Sequence, residues 1–282
     1  MSAEGWSSFP AVPAGGGGNT TMIGGVMGNG AVAALVEFSQ LGASATTADV
    51  DHVMRCLASH DAWWVPVEYA RQTWGQSEFD QTLPFPDRGP LAMLNVFTDP
   101  DAAMLGEASA SGDYGGAIPG VKLLQYLDPG LSSLFVNPGS PREHQWYIEA
   151  GGFDIAAGWA TAVAVERALA SRGSGRVPRS DLLAHNYQLL VDKQTQTPAQ
   201  VFLPEIDGVV AVCFTAADRT AEFVASLPPA ARPMAETTRV DGPGLFEMIR
   251  TTGAAGVVIN AGSDDQTALT GEDIEEIVGA HR

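Results

Sequence analysis

The chain has 282 residues, with 33 acidic side chains against 15 basic ones and a formal net charge of −18. This length is sufficient for one large domain or two of ordinary size, and 45% hydrophobic content with 17% charge is typical of a folded protein. The charge argues against nucleic acid and acidic membranes as partners, because both are bound through clustered Lys and Arg.

The first 44 residues contain no signal-peptide pattern, and no part of the sequence has 18 uninterrupted apolar residues. We therefore expect a cytoplasmic protein without a membrane span. Cys56 and Cys213 are far apart and each lies in an apolar stretch, which predicts two packed thiols and no disulfide.

Residues 1–44 are predicted to be a flexible, Gly-rich segment because of their composition, which includes the run Gly15–Gly18. Within it, Met22–Leu41 is more apolar and is a candidate to lie against the domain or a partner. The first clear helix starts at Thr46 or Thr47, since Val53, Met54 and Leu57 then share one face.

Alternating or continuous apolar residues predict the strands of the first half, Ala62–Val67, Leu91–Phe97 and Leu131–Val136. Residues 68–90 read as a loop. Thr98 or Asp99 is a candidate cap for a short helix, and a second short helix is predicted at Val121–Leu127. The quartet Asn137–Ser140 has the composition of a turn.

Phe153–Leu169 predicts a long helix with an apolar surface on nearly every side, which must be buried on nearly every side. The Gly/Ser/Arg stretch Ser171–Arg179 reads as a hinge. The predicted organisation is therefore a first domain at 45–152, a linker helix and hinge at 153–179, and a second domain at 180–282.

The second half of the sequence repeats patterns of the first. "NVFTDPDAAML" matches "AVCFTAADRTAEF", and "GVKLLQYLDPGLSSLFVNPGS" matches "GPGLFEMIRTTGAAGVVINAGS". Asn137–Ser140 falls on Asn260–Ser263, and Val65-Pro66 echoes Leu203-Pro204. Similarity over about a hundred residues predicts an α+β protein made of two tandem copies of a small mixed-sheet unit, joined by the apolar helix.

These elements resemble the N-terminal domain of the SseB family, from about Val50 to Ser140 and again from about Asp181 to Ile277. The resemblance rests on a strand that leads into Phe-Thr and on a strand that ends in Asn-Pro-Gly-Ser. Ala261 replaces Pro in the second turn. The resemblance implies a non-enzymatic accessory protein, with a link to secretion in some members.

No catalytic, cofactor or metal motif is recognisable, and none is predicted. The five histidines lack HExxH or zinc spacing, and the terminal acids from Glu272 onward read as a helix capped by Thr270 and not as a calcium loop. We therefore expect that the protein is not an enzyme.

Two groups of residues are candidates for binding. Strand-end turns can present backbone N–H groups to an anion or a peptide, while tryptophan and tyrosine favour interfaces. The turn candidates are Asn137, Gly139, Ser140, Asn260, Gly262 and Ser263, and the interface candidates are Trp74, Trp146, Tyr147, Trp159 and Val163.

The sequence favours a protein-binding or assembly (adaptor) protein that contacts a protein partner, further copies of itself, or both. Two alternatives stay open. One is a small-ligand sensor or enzyme with a site between the two domains. The other is a chaperone or immunity partner of a secreted effector, in which the acidic surface covers a basic partner.

Overall fold

The computed structural model describes residues 30–66, 92–99, 114–127, 130–171 and 179–279. It has an α+β fold with mixed sheets, as predicted. The described chain divides into two compact units, residues 30–163 (the first unit) and residues 164–279 (the second unit). The predicted loop at 68–90, the helix expected after Asp99 and most of the predicted hinge lie outside the described residues.

The first unit contains helices packed beside short strands. Its described helices are α1 (Gly30–Leu41), α2 (Thr47–Ser59), α3 (Gly120–Gln125) and α4 (Phe153–Ala170), the last of which continues into the second unit, and its described strands are β1 (Trp63–Pro66), β2 (Ala92–Val96), β3 (Tyr114–Ile118), β4 (Leu131–Val136) and β5 (Trp146–Glu149).

Helix α1 corrects the prediction of a flexible segment up to residue 44. Ala31, Ala34 and Leu35 are buried at helical spacing, and the Phe38 ring meets the Trp146 ring edge-on at 4.9 Å. A 3-10 turn over Gly42–Ser44 follows. The small side chains that suggested flexibility allow this helix to pack closely.

Helix α2 begins where its sequence predicts. Thr46 N–H donates to Asp49 Oδ2 at 2.7 Å and Asp49 N–H donates to Thr46 Oγ1, which forms a capping box. Val53, Met54 and Leu57 are buried on one face.

The strands of the first unit form two ladders that meet at one bridge. β4 pairs in parallel with β2 and antiparallel with β5, while β1 pairs antiparallel with β3. Trp64 and Phe97 exchange both backbone hydrogen bonds at 2.8 and 2.9 Å, which connects the ladders. One face of β2, β4 and β5 is buried through Leu94, Val96, Leu134, Val136 and Ile148.

The second unit is built around a six-stranded sheet. Its helices are the end of α4, α5 (Arg179–Ala184), α6 (Ala217–Ser226), α7 (Gly242–Thr252) and α8 (Gly271–Gly279), and its strands are β6 (Asn186–Asp192), β7 (Gln200–Leu203), β8 (Gly208–Phe214), β9 (Ala235–Asp241), β10 (Gly256–Ile259) and β11 (Thr267–Thr270).

The order of this sheet is β11-β10-β8-β6-β9, with β7 beside the first part of β8. β8 and β10 are parallel and the other pairs are antiparallel. Val210–Phe214 is buried throughout because apolar clusters cover both faces of β8. The C-terminal helix has its predicted cap, since Thr270 N–H donates to Asp273 Oδ2 at 2.7 Å and Ile274 and Ile277 are buried.

The predicted echo of Val65-Pro66 in Leu203-Pro204 is wrong. Pro66 ends β1, which meets Phe97 and β3, whereas Leu203 ends β7, which forms a hairpin with β8. By its pairing with β8 and β9, β6 is the strand that occupies a place like that of β1. A Val-Pro or Leu-Pro dipeptide does not indicate which strand its own strand pairs with.

Helix α4 spans the predicted apolar stretch, and the boundary between the compact units falls inside it, after Val163. Ile155 is 59% exposed, so one apolar side chain of the helix remains in solvent in the described chain. Among the described residues, no helix is both long and apolar enough to cross a membrane.

Candidate functional site

Each unit has two neighbouring parallel strands whose carboxyl ends lie side by side. Thr98 follows β2 and Asn137 follows β4 in the first unit, while Thr215 follows β8 and Asn260 follows β10 in the second. In open α/β sheets, ligands bind outside the carboxyl ends of parallel strands. These two edges are therefore the first places to look for a site.

In the first unit the Asn137 side chain connects the two strand ends. Its Oδ1 accepts hydrogen bonds from Thr98 N–H at 2.9 Å and from Thr98 Oγ1 at 3.2 Å, and its Nδ2 donates to His144 O at 3.1 Å. Asn137 is buried. The amide therefore satisfies the backbone at the edge of the sheet and is not presented to solvent.

Asn260 makes the same contacts to Thr215 in the second unit. Its Oδ1 accepts from Thr215 N–H at 2.9 Å and from Thr215 Oγ1 at 3.1 Å. Its Nδ2 instead donates to two carboxylates, Asp265 Oδ2 at 3.2 Å and Glu166 Oε1 at 3.4 Å. The second unit therefore has charged groups where the first has a backbone carbonyl.

The two carboxylates are tied into a polar network. Glu166 Oε1 accepts from Thr215 Oγ1 at 2.5 Å, and Asp265 forms an ion pair with Arg219 at 3.2 Å. The Ser263 hydroxyl, which has one proton to donate, lies within hydrogen-bond distance of two acceptors, Asn260 O and Asp265 Oδ1. Within the described part of the chain, no group of three or more His, Cys, Asp or Glu residues is placed to hold a metal. The network thus fixes the turn through charge-assisted hydrogen bonds.

A histidine completes each edge, and no motif predicts this role. His60 Nε2 donates to Thr98 O at 2.9 Å, and His185 Nε2 donates to Thr215 O at 2.7 Å. Each ring also meets an aromatic ring edge-on, Trp63 at 4.9 Å and Tyr187 at 4.8 Å. The only signal in the sequence was a histidine shortly before an aromatic strand start in both halves.

His185 is neutral at physiological pH. Burial is the main cause that lowers its pKa to about 4, and the nearby Arg239 lowers it further, while the hydrogen bond to Thr215 acts in the opposite direction. A neutral imidazole with its Nε2 proton held on a backbone carbonyl has a structural role. Cys213 is fully buried in β8, which confirms its predicted packing role. This burial raises the pKa of its thiol.

The candidate turns have the backbone conformation that their residue types predict. Asn137 and Asn260 have φ of 51° and 56°, and Gly139 and Gly262 have φ of 84° and 80°. Several of their N–H groups already have acceptors within the chain. In the first turn, Asn137 N–H donates to Val96 O and Ser140 N–H donates to Asn137 O. In the second turn, Asn260 N–H donates to Cys213 O, Gly262 N–H donates to Gln266 Oε1, and Ser263 N–H donates to Asn260 O.

The interface candidates differ in how much of each side chain is exposed to solvent. Trp159 and Val163 are 7% and 3% exposed, so their prediction as surface contacts is corrected: they are packed within the chain, with Arg55 over the Trp159 ring at 5.1 Å. Trp146 is half-buried against Phe38. Tyr147 is 52% exposed. Trp74 lies outside the described residues.

Tyr147 belongs to a sheet face that carries three large apolar side chains together with the polar residues Asn95, Ser133 and Glu149, and no motif in the sequence predicts this face. Phe135 lies opposite both Asn95 and Tyr147, and Met93 is on the same side of β2 as Asn95. The Phe135 and Tyr147 rings meet at 5.9 Å, and Met93 is 48% exposed. We call the surface formed by Met93, Phe135 and Tyr147 the Met-Tyr face.

Comparisons of the chain with protein-family models, with curated proteins and with solved structures find no match. The resemblance to the SseB family therefore stays a prediction, carried only by the motifs quoted above.

Proposed function

We propose that this protein is a non-enzymatic binding or assembly protein of the SseB type that contacts a protein partner through the Met-Tyr face. The observation that carries the proposal is the exposure of Met93 and Tyr147 on a regular sheet, beside the half-buried Phe135. Exposed apolar side chains grouped on a rigid element are typical of protein interaction sites.

The polar residues at the strand edges support the same proposal. In both units the Asn and His side chains bond to the backbone N–H and C=O of the threonine at the neighbouring strand end. A catalytic base or nucleophile would instead have to reach a substrate. These side chains hold the neighbouring strand ends together, which is a structural role.

We further propose that the two units arose as copies of one SseB-type domain. Support comes from three hydrogen bonds that are present in both units. An Asn side chain accepts from a Thr on the neighbouring parallel strand, and a His side chain donates to the carbonyl of the same Thr. A glycine N–H donates to the backbone carbonyl of that histidine. The last contact joins Gly120 to His60 at 2.6 Å and Gly242 to His185 at 2.8 Å. Shared contacts between residues far apart in sequence are stronger support than shared strings.

The test is capture of partners by the tagged full chain in its native host, followed by reconstitution from purified components. The double variant Met93→Ser/Tyr147→Ser removes the apolar surface, while Tyr126→Ser removes a 50% exposed tyrosine at the end of α3 and is the control. We expect a partner that binds the wild type and the control and binds the double variant at least tenfold more weakly. Equal capture by all three, or capture of nothing above background, would overturn the proposal.

The identity of a captured partner also separates the alternatives. A basic secreted protein whose binding weakens with salt supports the chaperone or immunity hypothesis, because surface charge attraction is screened within about 8 Å at physiological ionic strength. A small molecule that co-purifies with the chain and survives in native mass spectrometry supports the sensor hypothesis.

A further inference from the structure

We propose that His52 and Cys56 form a chelating site for a transition-metal ion that favours sulfur and nitrogen ligands, with Zn²⁺ as the physiological example, on the surface of helix α2. The site goes beyond the proposed binding function and is independent of the Met-Tyr face. Three observations support it, namely the spacing of the two side chains, the distance between their ligand atoms, and their access to solvent.

The two ligand atoms already face each other. His52 and Cys56 are four residues apart on α2, so they lie one turn apart on the same side of the helix. Helical side chains lean toward the N-terminus of their helix, which carries the Cys56 thiol toward the imidazole ring. The Sγ atom lies 3.8 Å from His52 Nε2. In the metal-free chain this contact is a weak hydrogen bond.

The distance between these atoms suits one metal ion that is bound to both. Zinc binds a thiolate sulfur at about 2.3 Å and an imidazole nitrogen at about 2.0–2.1 Å. With 3.8 Å between sulfur and nitrogen, these bond lengths give an S–Zn–N angle of about 120°. An approach of only about 0.2 Å brings this angle to the tetrahedral value of about 109°.

The imidazole of His52 is available to a metal. His60 and His185 are held on backbone carbonyls, whereas within the described ranges the His52 ring has no hydrogen-bond partner besides Cys56. His52 is exposed and Cys56 is half-buried, so solvent reaches the pair. Water can therefore fill the coordination positions that the two side chains leave open.

The charges around Cys56 keep its thiol protonated until a metal arrives. Burial is the main cause that raises the pKa of this thiol, and Glu37 of α1 raises it further, while Arg55 acts in the opposite direction. The Arg55 guanidinium lies over the Trp159 ring at 5.1 Å. When the metal binds, the S–H proton leaves to solvent, the sulfur–metal bond forms, and a water molecule leaves the metal.

The ligand types determine which metals fit. Thiolate and imidazole suit Zn²⁺, Co²⁺ and Cu⁺, whereas Mg²⁺ and Ca²⁺ require oxygen ligands. Two protein ligands hold a metal more weakly than the four of a structural zinc site, so we expect an exchangeable ion. Because the metal joins two successive turns of α2 in the folded state only, its binding should also stabilise the chain.

Cobalt titration of the untagged, reduced full chain tests the proposal. We expect a near-ultraviolet thiolate-to-cobalt charge-transfer band that saturates at one Co²⁺ per chain, release of one proton per bound ion, and loss of the band when Zn²⁺ is added. Co²⁺ and Zn²⁺ should each raise the melting temperature of the wild type.

Three variants assign the ligands. Cys56→Ser should abolish the band, and because it retains the fully buried Cys213, the loss identifies Cys56 as the sulfur ligand. His52→Gln should weaken cobalt binding at least tenfold and remove the rise in melting temperature. His144→Gln is the control, since it removes a histidine from the 3-10 turn Arg142–His144 and should bind cobalt as the wild type does.

Two results would overturn the inference. One is a wild type without a charge-transfer band at any cobalt concentration, and the other is a His52→Gln variant that binds cobalt as tightly as the wild type. Partner capture through the Met-Tyr face would be unaffected by either result. Conversely, Met93→Ser/Tyr147→Ser should bind cobalt normally, so the two proposals fail separately.

Discussion

Replacement of Asn260 tests whether the strand-edge amide holds the second unit together. Asn260→Ala removes the acceptor of the buried Thr215 N–H, which costs about 1–3 kcal/mol, and places alanine at a φ of 56°, which costs about a further 1 kcal/mol. Asn260→Gly loses the acceptor but relieves the backbone strain. We expect the free energy of unfolding to fall by about 3 kcal/mol for Ala and about 2 kcal/mol for Gly.

The distribution of tryptophan makes the assay specific for one unit. Five of the six tryptophans lie in the first unit, at positions 63 to 159; Trp6 lies outside the described residues, and none lies at 164–282. In urea, Asn260→Ala should lower the unfolding midpoint detected by far-UV circular dichroism and leave the tryptophan fluorescence transition almost unchanged. Asn137→Ala should shift the fluorescence transition. The exposed Asn186→Ala serves as the control.

The reasoning would be refuted if Asn260→Ala and Asn260→Gly were equally stable, or if both lay within 0.5 kcal/mol of the wild type, as roughly expected for a surface change. In the first case the backbone conformation at this turn would carry no strain. In the second, the bond to Thr215 would contribute nothing to stability.

Further expected outcomes concern buried groups and glycines. His185 has a pKa of about 4 in the folded chain, below its unfolded value of about 6.5. Between these two pH values the unfolded chain binds more protons, so the free energy of unfolding falls as the pH is lowered from 6.5 to 4. Urea titrations at a series of pH values should show that His185→Gln loses roughly 3 kcal/mol less stability over this interval than the wild type. Gly120→Ala should destabilise the first unit by about 3 kcal/mol in the fluorescence-detected urea transition, because its Cβ would lie 2.3 Å from Leu57 O. Gly158→Ala should raise the melting temperature, with a gain of about 0.5–1 kcal/mol, because this helical position has open space around it. A lower melting temperature for Gly158→Ala would show a contact at that position.

Local signals explain which parts of the fold were predictable. The capping box of Thr46, the buried strand that ends in Phe214 and the positive φ of Asn260 depend on residues within a few positions of one another. Such features follow from hydrogen bonding and sterics within one segment, so the sequence reveals them directly.

The missed features depend on distant contacts. His60 and His185 meet carbonyls 38 and 30 residues away, and nothing near either histidine marks that partner. Helix α1 has a weak pattern because alanines form much of its buried face. The Met-Tyr face joins three strands and exists only once their register is known.

The close approach of α3 to the end of α2 also determines how the first unit opens to solvent. Gly120 N–H reaches His60 O at 2.6 Å, and a side chain at this position would collide with the backbone of α2. The amide proton of Gly120 can therefore exchange with water only when the two helices separate. Its exchange rate measures their joint opening, so α2 and α3 behave as one cooperative unit in the native-state dynamics of the protein.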